Sequence, residues 1–321
     1  MTSRFLYSLA LSLLIAPLTI ASADDQPQQA ENKPTAAEQP ADQQPAAEQP
    51  AAESEKPIEW FTDYGRAMAK AHAEQKMLLV WFYDPRSAHQ DAQFFANVLN
   101  QPAITGRIAR SCVPVKVSTL ATELVNGQEV RLHGHRAFAE LLNRPGIVMI
   151  DLTHENSYQF GRVVSVYPFS RHYIPAYKMA AMLDLPHGSL TQRTLIMAVR
   201  THPEGPASAS TQVIPLLSYE SEKHAYHQAS INLQGHHNWE NRFHSINARL
   251  PGGLISQEVC AESWPGQNLV DAAEECVHSW RQSSGHWSAV RSRHVFYGYD
   301  MKRGRNGIWY ATGIFARRGG Y

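Results

Sequence analysis

The sequence predicts a mixed α/β fold, on three observations. Residues 77–84 (MLLVWFYD) are a short, continuous apolar run, as a buried central strand must be; 112–117 (CVPVKV) reads as a second strand and 145–152 (PGIVMIDL) as a third, apolar one. Helical segments stand around them: DYGRAMAKAHAEQK before the first, residues 88–99 after it, and YIPAYKMAAMLDLP after the third. Helices and buried strands in this order are stable as stacked layers. A further helical stretch stands at 219–234.

The chain opens with Arg4, an apolar run at 5–20, and the small-x-small motif Ala21-Ser22-Ala23. This is the pattern of a secretory signal peptide over residues 1–23, cleaved after Ala23. The competing reading is an uncleaved anchor, but the run falls short of the roughly 18 apolar residues a span needs, and Pro17 interrupts it. No later run is long enough to span. The expected product is exported to a periplasm, a cell surface or the extracellular medium, with no transmembrane segment after cleavage. Residues 24–57 are dominated by Ala, Gln, Glu, Pro and Asp and have no aromatics, so they cannot bury enough surface to offset chain entropy. They read as a disordered acidic tether with a reach of about 100 Å at most. A partner-binding role is the lesser reading.

Across the chain, 29 Lys and Arg balance 29 Asp and Glu and no basic stripe appears. Nucleic acid is therefore not an expected partner. Three cysteines are few for an exported protein and leave stability to the cores. Residues 187–211 begin helical, with apolar positions at 195, 196 and 199, and end in HPEGPASAS. That ending reads as a linker, so residues 58–186 and 212–321 are expected to form two domains.

The first domain, through VWFYDPRSAHQDAQFF, VPVKV, RPGIVMIDL and GRVVSVYPF, resembles a thioredoxin-like domain. In that family the loop after the first long strand carries Cys-x-x-Cys at a helix start, where the dipole lowers the thiol pKa. Here the loop reads Asp84-Pro85-Arg86-Ser87-Ala88-His89 and holds no cysteine. The resemblance therefore implies a redox-inactive domain, a scaffold or binding platform, with Pro145 at the position of the family's cis-proline. Cys112, in an apolar strand, reads as buried and inert, and His89 as a solvated helix-start histidine.

The second domain is rich in histidine: His224, His227, His236, His237, His244, His278, His286 and His294 fall within about seventy residues. His224 and His227, three apart, could share a helix face. LLSYESEKHAYHQASINLQGHHNWENRF and VCAESWPGQNLVDAAEECVHSWRQSSGHW resemble the first helix and central signature of the SCP-type domain, found in the superfamily of cysteine-rich secretory, antigen 5 and pathogenesis-related proteins. The resemblance implies an α-β-α sandwich, with an alanine-rich helix inside that signature and HVFYGYDMKRGRNGIWYATGIFA, apolar strands around a Gly-rich turn, as the closing hairpin. It also implies a cleft in which His237, Glu262 and His286 could hold zinc or another divalent cation, with a position left open for water or a guest. His236 is the alternative to His237, because adjacent residues cannot be ranked from the sequence. Two features depart from the family pattern: Ser283 stands where many members carry a second glutamate, and Gly-Glu-Asn has become Ala-Glu-Ser. The competing reading of His286 is a histidine that caps a helix and packs on Trp287. In an exported protein Cys260 and Cys276 could form a disulfide worth about 3 kcal/mol; two free thiols are the alternative. The aromatics of this domain are read mostly as core.

Together these readings imply a binding protein for a protein, envelope or small-molecule ligand. The alternatives are a metal-dependent hydrolase acting on peptide or envelope substrates and a scaffold with a vestigial cleft. No serine or cysteine nucleophile with a placed histidine is apparent, so no catalytic residue is assigned.

Overall fold

The computed structural model describes residues 58–125 and 128–319. The signal peptide and tether expected over residues 1–57 lie outside the described residues. The fold is mixed α/β, as the alternation of helices and apolar runs requires.

In the first unit, α1 (Tyr64–Ala73) is capped by Asp63, whose side chain accepts from the Arg66 backbone N–H. It packs on β1 (Met77–Tyr83). After β1, α2 (Ala88–Phe94) runs into a wider π turn at Phe95–Leu99, which sets Phe94 and Phe95 both against Trp81. Then follow α3 (Pro102–Ser111), β2 (Cys112–Ser118) and a hairpin of β3 (Thr122–Val125) and β4 (Gln128–Arg131). The unit closes with β5 (Gly146–Ile150), β6 (Val163–Pro168) and α4 (Ala176–Leu183). The main sheet has the order β2-β1-β5-β6, with β1 parallel to β2 and antiparallel to β5. The two central strands are the longest unbroken apolar runs of the unit, because both their faces are covered.

Pro145, expected as a candidate cis-proline, is trans: there is no cis peptide bond among the described residues. Trans is the default state of an X-Pro bond, and in it the Pro145 carbonyl accepts the Phe169 N–H at 2.7 Å.

The expected connector contains α5 (Leu190–Arg200), which begins at a Ser189/Gln192 capping box and is buried from Arg193 to Val199. The second unit comprises β7 (Gln212–Val213), α6 (Pro215–Ile231), α7 (Trp239–Asn247), β8 (Leu254–Glu262), α8 (Leu269–Gln282), α9 (Ser284–Arg291), β9 (Phe296–Arg303) and β10 (Trp309–Arg318). Its sheet has the order β7-β9-β10-β8, and β9 and β10 form the expected terminal hairpin. Alternation along the strands divides the core in two. Ile314 and Ala316 meet Leu217, Ile246 and Leu250 of the α6/α7 side. Val259, Ala261, Tyr299, Ala311 and Phe315 face the other way, into a cluster with α8 and α9. That second cluster continues through α5 into the first unit. No helix among the described residues is long and apolar enough to cross a membrane.

The same alternation overturns the expected Cys260–Cys276 disulfide. Both thiols are free and buried. Cys260 shares its face of β8 with Glu258, toward α6, whereas Cys276 lies on α8 among the residues packed with Val259 and Ala261. The sheet stands between the two sulfurs, which a disulfide's short Cβ–Cβ span cannot cross.

Candidate metal centre

Glu258 is the organising charge of the second unit. It lies in β8, beside apolar Val259, with its side chain wholly buried. Arg242 of α7 donates to one carboxylate oxygen. His236 donates to the other through Nδ1 at 3.0 Å, and His224 Nε2 lies 3.8 Å from that same oxygen. Burial raises the carboxyl pKa, but the hydrogen bonds from His236 and Arg242 and the charge of Arg242 outweigh it. Glu258 is thus held below the ordinary carboxylate value and stays ionised.

The loop after α6 places His236. Asn232 ends the helix in the left-handed region, at φ 53°. Gly235 follows at φ 158°; its N–H donates to Gln228 Oε1 at 3.0 Å and its carbonyl accepts from His224 Nε2 at 2.9 Å. The loop is therefore pinned to α6 from both sides of Gly235. Burial pushes His224 down to about 4, so at neutral pH it is an uncharged donor.

His236 Nε2 lies 3.2 Å from His286 Nε2. The partner ring comes from the first turn of α9, which begins because Ser283 leaves α8 in an extended conformation, at φ −103° and ψ 115°. Trp287, the next residue, turns inward and donates to Glu204 at 3.1 Å, leaving His286 free to face His236. Burial, and after it the neighbouring His236, hold the His286 pKa below the ordinary value. The two rings meet beside β8, the edge strand, and His236 is exposed to solvent.

Of the residues expected from the sequence, the structure brings together His236, the alternative, and His286. His237 turns away, with Nε2 3.2 Å from the Leu233 carbonyl and its ring beside His227. Glu262 is exposed at the end of β8, opposite Tyr310. Among the described residues, two groups of three or more His, Cys, Asp or Glu side chains lie within ligand reach of one another: His224, Glu258 and Cys260, and Asp151, His154 and His187. Neither includes His236, His237, Glu262 or His286. Glu258 has little to mark it in the sequence: its strand also carries Ser256, Gln257 and Glu262, and the one hint of a buried, partnered carboxylate is that it stands next to Val259 and in phase with Cys260.

Could either set hold a divalent ion? Two nitrogens at about 2.05 Å from a tetrahedral ion stand about 3.3 Å apart, and the His236–His286 separation is 3.2 Å. A histidine that binds a metal usually gives its other N–H to a carboxylate, and His236 does so to Glu258. The inner trio fits less well. Arg242 already balances Glu258, and burial pushes the Cys260 thiol well above its usual value, which opposes the thiolate that a metal requires. The loop of residues 84–89 holds no thiol; there Asp84 instead binds Arg86 through its side chain.

Of the aromatics, Trp280, Tyr297, Tyr299 and Tyr310 are buried, whereas Tyr219, Tyr226 and Trp264 are exposed.

No family model matches the chain, and no curated protein matches it. Among solved structures it is similar to a thioredoxin from Thermus thermophilus, at 19% identity and TM-score 0.27, over 40% of this chain and 85% of that one. It is also similar to an outer surface protein from Borrelia burgdorferi, at 15% identity and TM-score 0.28, over 34% of this chain and 78% of that one.

Proposed function

We propose that the chain is an exported, non-redox binding protein whose second unit, SCP-like in its sequence motifs, presents a divalent-metal cleft at His236 and His286. One observation carries this reading: two facing imidazole nitrogens at 3.2 Å, one ring oriented from behind by a buried carboxylate. Zinc suits a two-imidazole site, and the remaining positions face solvent, where water or a guest with an oxygen or nitrogen donor would bind. The metal would supply charge for holding that guest. His236 and His286 would bind the ion, Glu258 would fix the His236 tautomer, and Arg242 would keep Glu258 ionised.

Binding is favoured over metal-assisted hydrolysis because Glu258 is engaged by both Arg242 and His236 and is not free to act as a general base. The non-redox reading rests on chemistry as well. Cys112, Cys260 and Cys276 are all buried and unpaired, and burial pushes Cys112 up to about 11, so no accessible thiolate is present at neutral pH.

The test is nuclear magnetic resonance of histidine-labelled protein during addition of Zn²⁺. The His236 and His286 ring signals are expected to shift together at the same metal concentration, with His237 unaffected. A His286 shift while His236 stays still would overturn the paired site.

A further inference from the structure

The first unit holds a second convergence of ligand groups, independent of the cleft just described. Asp151 directly follows β5, His154 lies in the turn beyond it, and His187 arrives from the loop between α4 and α5. The Asp151 side chain is wholly buried, while the two imidazoles are about two-fifths exposed (43% and 40%). Oδ1 accepts from the Thr153 N–H at 2.9 Å, the Thr153 hydroxyl at 2.7 Å and the His154 N–H at 3.3 Å. It also lies 3.1 Å from His154 Nδ1, which stands 2.7 Å from the same Thr153 hydroxyl. Oδ2 faces ring nitrogens: His154 Nδ1 at 3.0 Å and His187 Nδ1 at 3.4 Å.

We propose that Asp151, His154 and His187 form a site for a borderline divalent cation of the zinc class. Three features support it. The separations of 3.0 and 3.4 Å bracket the about 3.3 Å between ligand atoms on a tetrahedral ion. The ligands are held from behind, as bound ligands usually are: Oδ1 by Thr153, and His187 through Nε2 and the Ser157 hydroxyl at 3.0 Å. The two rings, 4.0 Å apart, border a cavity of about 450 Å³ that Gln75, Glu155 and Asn156 also line, so the fourth position would open onto space for water or a small donor ligand. Two nitrogens and one oxygen favour zinc, nickel or copper over magnesium or calcium. When the ion binds, the ring nitrogens offer lone pairs, and any proton on Nδ1 leaves to solvent.

The experiment uses the full chain, stripped by chelator and titrated with Zn²⁺ alone in a calorimeter, beside three variants: His236→Ala/His286→Ala, His154→Gln/His187→Gln, and all four changes combined. Circular dichroism confirms that each is folded. Expected are two equivalents bound by the wild type, one by each double variant, and none by the quadruple variant. Asp151→Asn, which keeps an oxygen for Thr153, is expected to weaken the remaining site of His236→Ala/His286→Ala at least tenfold. If His236→Ala/His286→Ala binds no Zn²⁺, or if His154→Gln/His187→Gln binds as much as the wild type, this proposal fails. Loss of the cleft site alone would leave it standing.

Discussion

At the residue scale, the polar centre of the second unit depends on one buried charge. Removing one partner of a buried ion pair strands the other and typically costs about 3–5 kcal/mol. Glu258→Ala, which strands Arg242, is expected to lose that much in urea denaturation; a loss under about 1 kcal/mol would show that Arg242 finds water instead. The sequence marked the histidine-rich loop and the Gly-His after Ser283 but could not choose between His236 and His237. That choice depends on Gly235 at φ 158° and on its two hydrogen bonds to α6, none of which has a spacing signature. Glu262 stands apart from this centre, exposed at the end of its strand. It shares strand and phase with Glu258, but only Glu258 lies deep enough to meet Arg242. The thiols give a second prediction at this scale. Alkylation of denatured, unreduced protein is expected to count three free cysteines, and a count of one would restore the bridge.

At the scale of elements, strands β1 and β5 were legible because burial on both faces leaves them uniformly apolar, and the edge strand β2 because only Lys116 interrupts the apolar run 112–117. The second unit gives no such signal, since β8 carries Ser256, Glu258 and Cys260 on one face. The seam between α6 and β9 is tight: a Cβ on Gly298 would stand 2.3 Å from the Leu217 carbonyl carbon. Backbone cannot yield as a side chain can, so Gly298→Ala is expected to cost about 3 kcal/mol or more, read as a lower urea midpoint. His294 ties α9 to β10, stacking on Phe315 with ring centres 4.4 Å apart and donating through Nε2 to the Ala289 carbonyl at 2.8 Å. Burial holds its folded-state pKa below the ordinary histidine value. Below about pH 6.5 the unfolded chain takes up a proton that the folded state resists. Its contribution to stability is therefore complete above that pH and lost as pH falls through it toward the folded pKa. His294→Gln is expected to flatten the stability profile between about pH 7 and 5; parallel profiles would contradict this.

At the scale of the whole molecule, α5 joins what composition divided. The Pro/Gly/Ser-rich stretch after it suggested a linker, but linker composition says nothing about what the preceding helix touches. Thr191 and Gln192 at its start bind Asp300 of β9 at 2.6 and 3.2 Å, and Arg200 at its end reaches the Tyr297 hydroxyl at 3.1 Å. With one apolar cluster running through both units, calorimetry of the full chain is expected to give a single cooperative transition. Two separated transitions would mean that the units are held apart. The most direct measurement for the account as a whole is the zinc content of the purified full chain by elemental mass spectrometry, comparing wild type with His236→Ala, His286→Ala and His237→Ala. Content is expected to fall by one equivalent in the first two variants and to stay unchanged in the third. No fall in any variant, or a fall confined to His237→Ala, would contradict the cleft at His236 and His286.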